Sequence, residues 1–266
     1  MKAVIVKVLI GSGLFGLFVL FLWADPSGRY FNLSGLFLVV VGTFAATVLA
    51  HSFRGVTDLL RRLRSKLTNK ASMDSEDLEV FLHLVEAHRR GSVRAAEQAA
   101  RRLQESLLRT GAELVINRTP QADLTRMLQW KIGAQRERDQ AEIQIVRTMG
   151  AFAPAFGMLG TLLGLIGMMY GLDANRMEQI GESMGFAMLT TVYGLVLANL
   201  VLKPLATRLE RRANENLAWA YVQMESVLML HDRCHAAMFR DYWQAFFDHP
   251  EASEPIDSLP LSVAKS

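Results

Sequence analysis

Apolar and polar positions in this chain are separated into long blocks rather than mixed. Val8 to Ala24, Leu33 to Phe53, Gly150 to Leu172 and Ser183 to Leu202 each run without an Asp, Glu, Lys or Arg. An α-helix rises 1.5 Å per residue, so about 20 apolar residues cross a bilayer core. The pattern therefore predicts four membrane-spanning helices, at about 8–24, 33–53, 150–172 and 183–202. The first is short enough to compare with a secretory signal. Trp23 and Asp25, however, flank Ala24 and make a poor cleavage site.

The charged blocks carry a different periodicity. Leu78, Phe81, Leu82 and Val85 recur at helical spacing, with Asp74 placed to cap their helix. Gly91 interrupts it, and Ala95 to Leu108 resumes it. Thr119-Pro120 marks another start, a capping hydroxyl followed by proline at the first helical position. No proline follows until Pro154, so the third span is expected to project roughly 45 Å beyond the membrane over about 30 residues. Residues 205–247 read as a matching extension of the fourth span. The stretch after Pro250 is rich in Pro and Ser and is expected to be mobile. The expected fold is all-α and integral to a membrane, with four transmembrane helices and a helical cytoplasmic domain. Its parts are a transmembrane hairpin at 1–53, a cytoplasmic helical domain at 54–149, a second hairpin at 150–204, and a cytoplasmic helix with a tail at 205–266.

Charge then orients these elements. Of the 29 Lys and Arg residues, 27 lie before the first span, between spans two and three, or after span four. Only Arg29 and Arg176 fall in the two opposite loops. Arg54, Arg61, Arg62 and Arg64 sit close to a membrane end, where basic residues mark the cytoplasmic side. Both termini and the long loop are thus expected in the cytoplasm. This asymmetry explains the net charge of +3 better than nucleic-acid binding does. Cys234 is the single cysteine, which excludes an intrachain disulfide.

The spans lack the ionisable group that an ion pump or coupled transporter needs within the membrane. The chain is therefore not expected to complete an ion pathway alone. His51 lies at a span end, where histidine is more often interfacial. His231 and His235 share a helix face beside Cys234, but zinc wants more ligands than they offer. There is no phosphate-binding loop and no nucleophile elbow, so neither an enzyme nor a cofactor is expected. Spans three and four each carry a small and polar stripe. On span three it is Pro154, Gly157, Thr161, Gly164 and Met168; on span four, Ala187, Thr190, Thr191, Gly194 and Ala198. Such stripes serve close helix packing. They also suit the lining of a path whose charged group comes from another chain. Pro154 and Pro204 each remove a backbone donor and suggest paired hinges.

These residues carry a resemblance. The run Ala153-Pro154-Ala155-Phe156-Gly157-Met158-Leu159-Gly160-Thr161-Leu162-Leu163-Gly164-Leu165 resembles the third span of the MotA/PomA flagellar stator family. Ala187 to Leu195 with Lys203-Pro204-Leu205-Ala206 resembles its fourth span, and Gly42 to Thr47 its second. ExbB and TolQ share the Gly-Thr motif but normally have three spans. The resemblance implies a homopentamer around two copies of a MotB/PomB-like single-span subunit that supplies an aspartate. It further implies a bacterial inner-membrane setting in which protons or sodium ions would pass along Thr161, Thr190 and Thr191, Pro154 and Pro204 would couple that passage to shape change, and the ring would turn against a rotor switch protein. The family's rotor motif sets a basic residue three before a glycine and an acidic one five after it. Around Gly91 those positions hold His88 and Ala96. A one-residue shift restores the pair as Arg89 and Glu97, with Arg90 alongside. That departure keeps a non-flagellar, stator-like energiser as an alternative, and a solute transporter or membrane scaffold as a third reading.

The orientation is directly testable. A reporter active only in the periplasm, fused after Ser266, should stay silent; activity there would overturn the four-span topology.

Overall fold

The computed structural model describes residues 31–53, 55–59, 61, 75–173 and 177–248. The expected first span, the Asp74 cap and the stretch after Pro250 lie outside the described residues. The chain divides into two units. One comprises residues 1–64 and 141–209, the other 65–140 and 210–266. Every described element is helical. Among the described residues, three helices are long and apolar enough to cross a membrane, spanning Leu33–Ala50, Gln121–Gly171 and Met177–His231.

The first unit holds α1 (Leu33–Ala50). Asn32 caps it, accepting the Gly35 amide at 2.9 Å. Its buried face is Gly35, Val39, Thr43 and Thr47, one residue every four. Phe37, Val40, Val41 and Leu49 point outward. A helix that is apolar all round, with small residues on its packed side, suits lipid on the remaining faces. The long helices α5 (Gln121–Asp173) and α7 (Lys203–His231) contribute residues to both units. Between them lie α6 (Met177–Val196) and a π-helical segment, Leu197–Leu202. Helix α6 starts six residues ahead of the apolar run that predicts it. Glu178 in its first turn complements the positive helix end there.

The second unit adds α2 (Ser75–Arg89), α3 (Val93–Arg102), α4 (Ser106–Ile116) and α8 (Ala236–Asp248). Its core joins Phe81, Leu84 and Val85 of α2 to Leu108, Leu124, Leu128, Leu230, Phe239 and Trp243. The Trp243 ring stacks on Phe81 with centroids 5.7 Å apart. Its indole N–H donates to Ser226 Oγ at 2.6 Å, so the buried polar atom is paired. Gly111 lets α4 meet Val227, since a Cβ there would lie 2.5 Å from Val227 Cγ2.

Two expected continuities are broken. The expected resumption at Ala95 to Leu108 is two helices, because Leu103 turns into the core in an extended conformation. The freed Gln104 amide donates to the buried Asp77 carboxylate at 3.0 Å. The expected single extension at 205–247 likewise ends at His231, where Arg233 adopts φ 56°. The chain then re-enters helix as α8, which carries Phe239 and Trp243 into the core. Residue Gly91, with φ 73°, closes α2 through Ser92 N–H to Ala87 O and Gly91 N–H to His88 O. Arg118 (φ 57°) closes α4 by the same double bond pattern, Thr119 to Leu114 and Arg118 to Val115.

Arg118 pays a steric cost that glycine would not. The left-handed conformation disfavours a Cβ by about 1–2 kcal/mol. Glycine's extra freedom when unfolded returns roughly 0.5–1 kcal/mol of that. Arg118→Gly should therefore stabilise the protein by about 0.5–1 kcal/mol, seen as a rise of about 1–4 °C in thermal unfolding. An unchanged or lower transition would show that the arginine side chain contributes contacts of its own.

Candidate functional site

The central contact of the first unit is the approach of α5 to α6. Along α5, Gly157, Gly160 and Gly164 fall on one face. A Cβ on Gly157 would lie 3.0 Å from the Thr190 carbonyl oxygen and 3.2 Å from Thr191 Cα. On Gly160 it would collide with the Thr190 side chain, and on Gly164 it would lie 2.7 Å from the Ser183 carbonyl. From the other side, a Cβ on Gly194 would lie 2.6 Å from the Ala153 carbonyl oxygen. The two backbones therefore touch with no side chain between them. Helix α1 closes against the same pair: Gly35 faces Thr190, and Gly42 faces the Phe156 ring.

This packing distributes the three threonines. Thr190 is fully buried between Gly35 and Gly160, and its hydroxyl donates to Ala187 O at 2.9 Å. Thr191 is half-buried and its hydroxyl faces across to Gly157 O at 3.4 Å, a long bond. Thr161 is half-exposed, off the glycine face, donating to Met158 O at 2.6 Å. Each hydroxyl proton is thus directed to a backbone carbonyl, which leaves the oxygen lone pairs as acceptors. The sequence pattern groups Thr161 with the packing stripe; the structure puts Gly160 there instead. Among the described residues, the buried Thr43 hydroxyl has no partner.

The two prolines sit beside distortions. Pro154 lies inside α5 and removes the donor that the Gly150 carbonyl would otherwise accept. Gly150 packs on Leu202, where a Cβ would lie 3.7 Å from Leu202 Cβ. Leu202 ends the π-helical segment, and Lys203 N–H reaches back five residues to Ala198 O. Pro204 follows at once and cannot donate, so the α-helical pattern cannot pass through it unchanged. Asn199 donates from its side chain to Leu195 O at 3.0 Å and accepts from Lys203 Nζ at 2.7 Å. The π segment was not foreseen. Pro204 and Asn199, a polar residue in an apolar run, were its signals.

In the second unit, Arg89, Arg90 and Glu97 are exposed, whereas Ala96 is buried and His88 half-buried. Burial holds the His88 imidazole below the usual histidine range, and the Arg233 guanidinium and His231 add to that. Arg90 pairs with Glu86 at 3.3 Å on the surface, a contact of small energetic weight. A cleft of about 470 Å³ opens between α2 and α3, bordered by His83, Glu86, Arg90, Gln98 and Arg102.

Known proteins share this organisation. Residues 99–220 match the MotA/TolQ/ExbB proton channel family. Motility protein A of Borreliella burgdorferi is 26% identical over 225 residues, 84% of this chain and 86% of that protein. Chemotaxis protein PomA of Vibrio alginolyticus is 27% identical over 239 residues, 86% of this chain and 89% of its own length. A chain of the flagellar MotAB stator complex from Bacillus subtilis superposes with a TM-score of 0.77. It covers 92% of this chain and 98% of its own at 19% identity, which speaks for the fold. Campylobacter jejuni MotAB (C. jejuni MotAB) gives 0.71 at 15% identity, covering 96% of this chain and 95% of that one. Over residues 99–220 this chain is similar to the MotA/TolQ/ExbB proton channel family, and over most of its length to motility protein A and PomA.

Proposed function

We propose that this chain is a stator ring subunit of a flagellar motor, coupling proton or sodium flow across the inner membrane to torque on the rotor. One observation carries the reading. The apolar runs 33–53, 150–172 and 183–202 contain no Asp, Glu, Lys or Arg, yet hydroxyls line the packed helices of a chain similar to a proton-channel family. The ion-binding charge must then come from another chain, a MotB/PomB-like single-span partner. Five copies around two partners is the arrangement that the family resemblance favours. Thr161, Thr190 and Thr191 offer lone pairs along the route and serve either ion.

The energy scale is consistent. One charge crossing roughly 150 mV releases about 3.5 kcal/mol. That exceeds the net worth of one or two hydrogen bonds, so a single passage can repack a hinge already weakened by missing donors. Pro154 and the π segment before Pro204 are those weak points. They pack against each other through Gly150 and Leu202, which supports a joint movement. For the rotor contact, the exposure of Arg89, Arg90 and Glu97 and the burial of Ala96 support the pair shifted by one residue.

Two experiments test this. Pro154→Ala restores a donor to the Gly150 carbonyl and favours the straight helix by up to about 3 kcal/mol. Motility should nearly vanish while membrane levels stay normal; full motility would remove the hinge. Reversing Arg89, Arg90 and Glu97 together should stop torque but spare ion leak through a ring freed of any plug. Single neutralisations should be mild, since an exposed pair contributes only about 0–1 kcal/mol. Intact motility in the triple reversal would place the grip elsewhere, or move the chain to a non-flagellar machine.

A further inference from the structure

Helix α1 is bonded at its two ends to two different helices. At the start, the Asn32 backbone amide donates to the Tyr193 hydroxyl of α6 at 2.9 Å. At the end, His51, the C-terminal cap, places Nε2 3.1 Å from Thr148 Oγ1 of α5. The direction of this second bond follows from proton counting. A threonine hydroxyl has one proton, and Thr148 gives it to Gln144 O at 2.9 Å. The imidazole must therefore donate from Nε2.

The positions of the two bonds matter more than their number. Thr148 precedes Pro154 in α5, and Tyr193 precedes the π segment in α6. The two helices are antiparallel, since Gly164 meets Ser183 and Ala187 while Gly150 meets Leu202. The Thr148 bond thus lies on the Leu202 side of the hinge level. The Tyr193 bond, with Gly35 against Thr190, lies on the other side. Between them α1 is an unbroken helix of 18 residues without proline, and Gly42 crosses Phe156 at its middle. A bend at Pro154 moves one anchor relative to the other. It must either carry α1 along or strain one of the terminal bonds.

We propose that α1 is a strap across the hinge, and that His51, Thr148 and Tyr193 are positioning residues that set how far ion passage bends α5. The proposal rests on the hinge reading above but has a readout of its own. The test uses the full chain with its partner, extracted as the assembled complex. His51→Ala and Tyr193→Phe each remove one terminal bond. Backbone hydrogen exchange over residues 150–157 should rise about three- to tenfold in each, with torque reduced and complex levels normal. His51→Gln keeps an amide donor within reach of Thr148 and should restore both exchange and torque. If His51→Ala does not accumulate, Thr148→Val removes the same bond with little change in shape and takes its place. Unchanged exchange in His51→Ala combined with Tyr193→Phe overturns the strap. So does a His51→Gln variant as impaired as His51→Ala. Pro154→Ala, measured in parallel, separates the two ideas. Normal torque there sinks the hinge reading, whereas the exchange response to His51→Ala decides the strap.

Discussion

The structure depends on one constraint: the backbones of α5 and α6 touch. Ala153 O against Gly194, and Gly157 against the Thr190 carbonyl, leave no room for a Cβ on either glycine. In lipid there is no hydrophobic gain from bringing two apolar helices together, so close van der Waals fit must hold them. That fit also decides where polar groups go. Thr190 is drawn into the three-helix contact, while Thr161 is turned off it. The helix pair is therefore the scaffold against which α1 is set.

The same contact concentrates irregularity in one place. A proline in one helix interior and a π segment in its neighbour would each weaken an isolated helix. Here they lie side by side, with Gly150 on Leu202. Asn199 serves its own helix at Leu195, and Lys203 serves Asn199. The segment thus keeps its helical path while its hydrogen-bond ladder is loosened at one level.

Much of this was legible in the sequence because membrane spans are written as long uncharged runs. The runs at 33–53, 150–172 and 183–202 mark helices that the structure contains, and the absence of proline between Pro120 and Pro154 is reflected in the 53-residue α5. What was not legible involved contacts distant in sequence. The break at Leu103 depends on Asp77 capturing Gln104, 27 residues away. The end of α7 depends on Arg233 accepting a left-handed conformation that composition does not advertise for arginine. The stripe on α5 was read one residue off at Thr161, because a helical pattern of small residues cannot say whether Gly160 or Thr161 meets the partner.

The turn at Gly91 decides which of its neighbours face outward. Its left-handed φ and paired bonds to Ala87 and His88 fix where α2 ends and how α3 begins. With that turn set, the inward positions follow from packing: Ala96 and Ala100 are buried on α3, and Phe81, Leu84 and Val85 on α2. Residues beside them must face out. His88 is drawn partly inward, near Arg233 and His231, and burial disfavours its charge. It is therefore poorly suited to act as a fixed surface cation. Arg89 and Arg90 are exposed. On α3, Ala96 has no charge to offer, and Glu97 presents a carboxylate one position on. Basic and acidic groups thus stand at the surface on either side of one glycine turn, because burial selects which neighbour points outward.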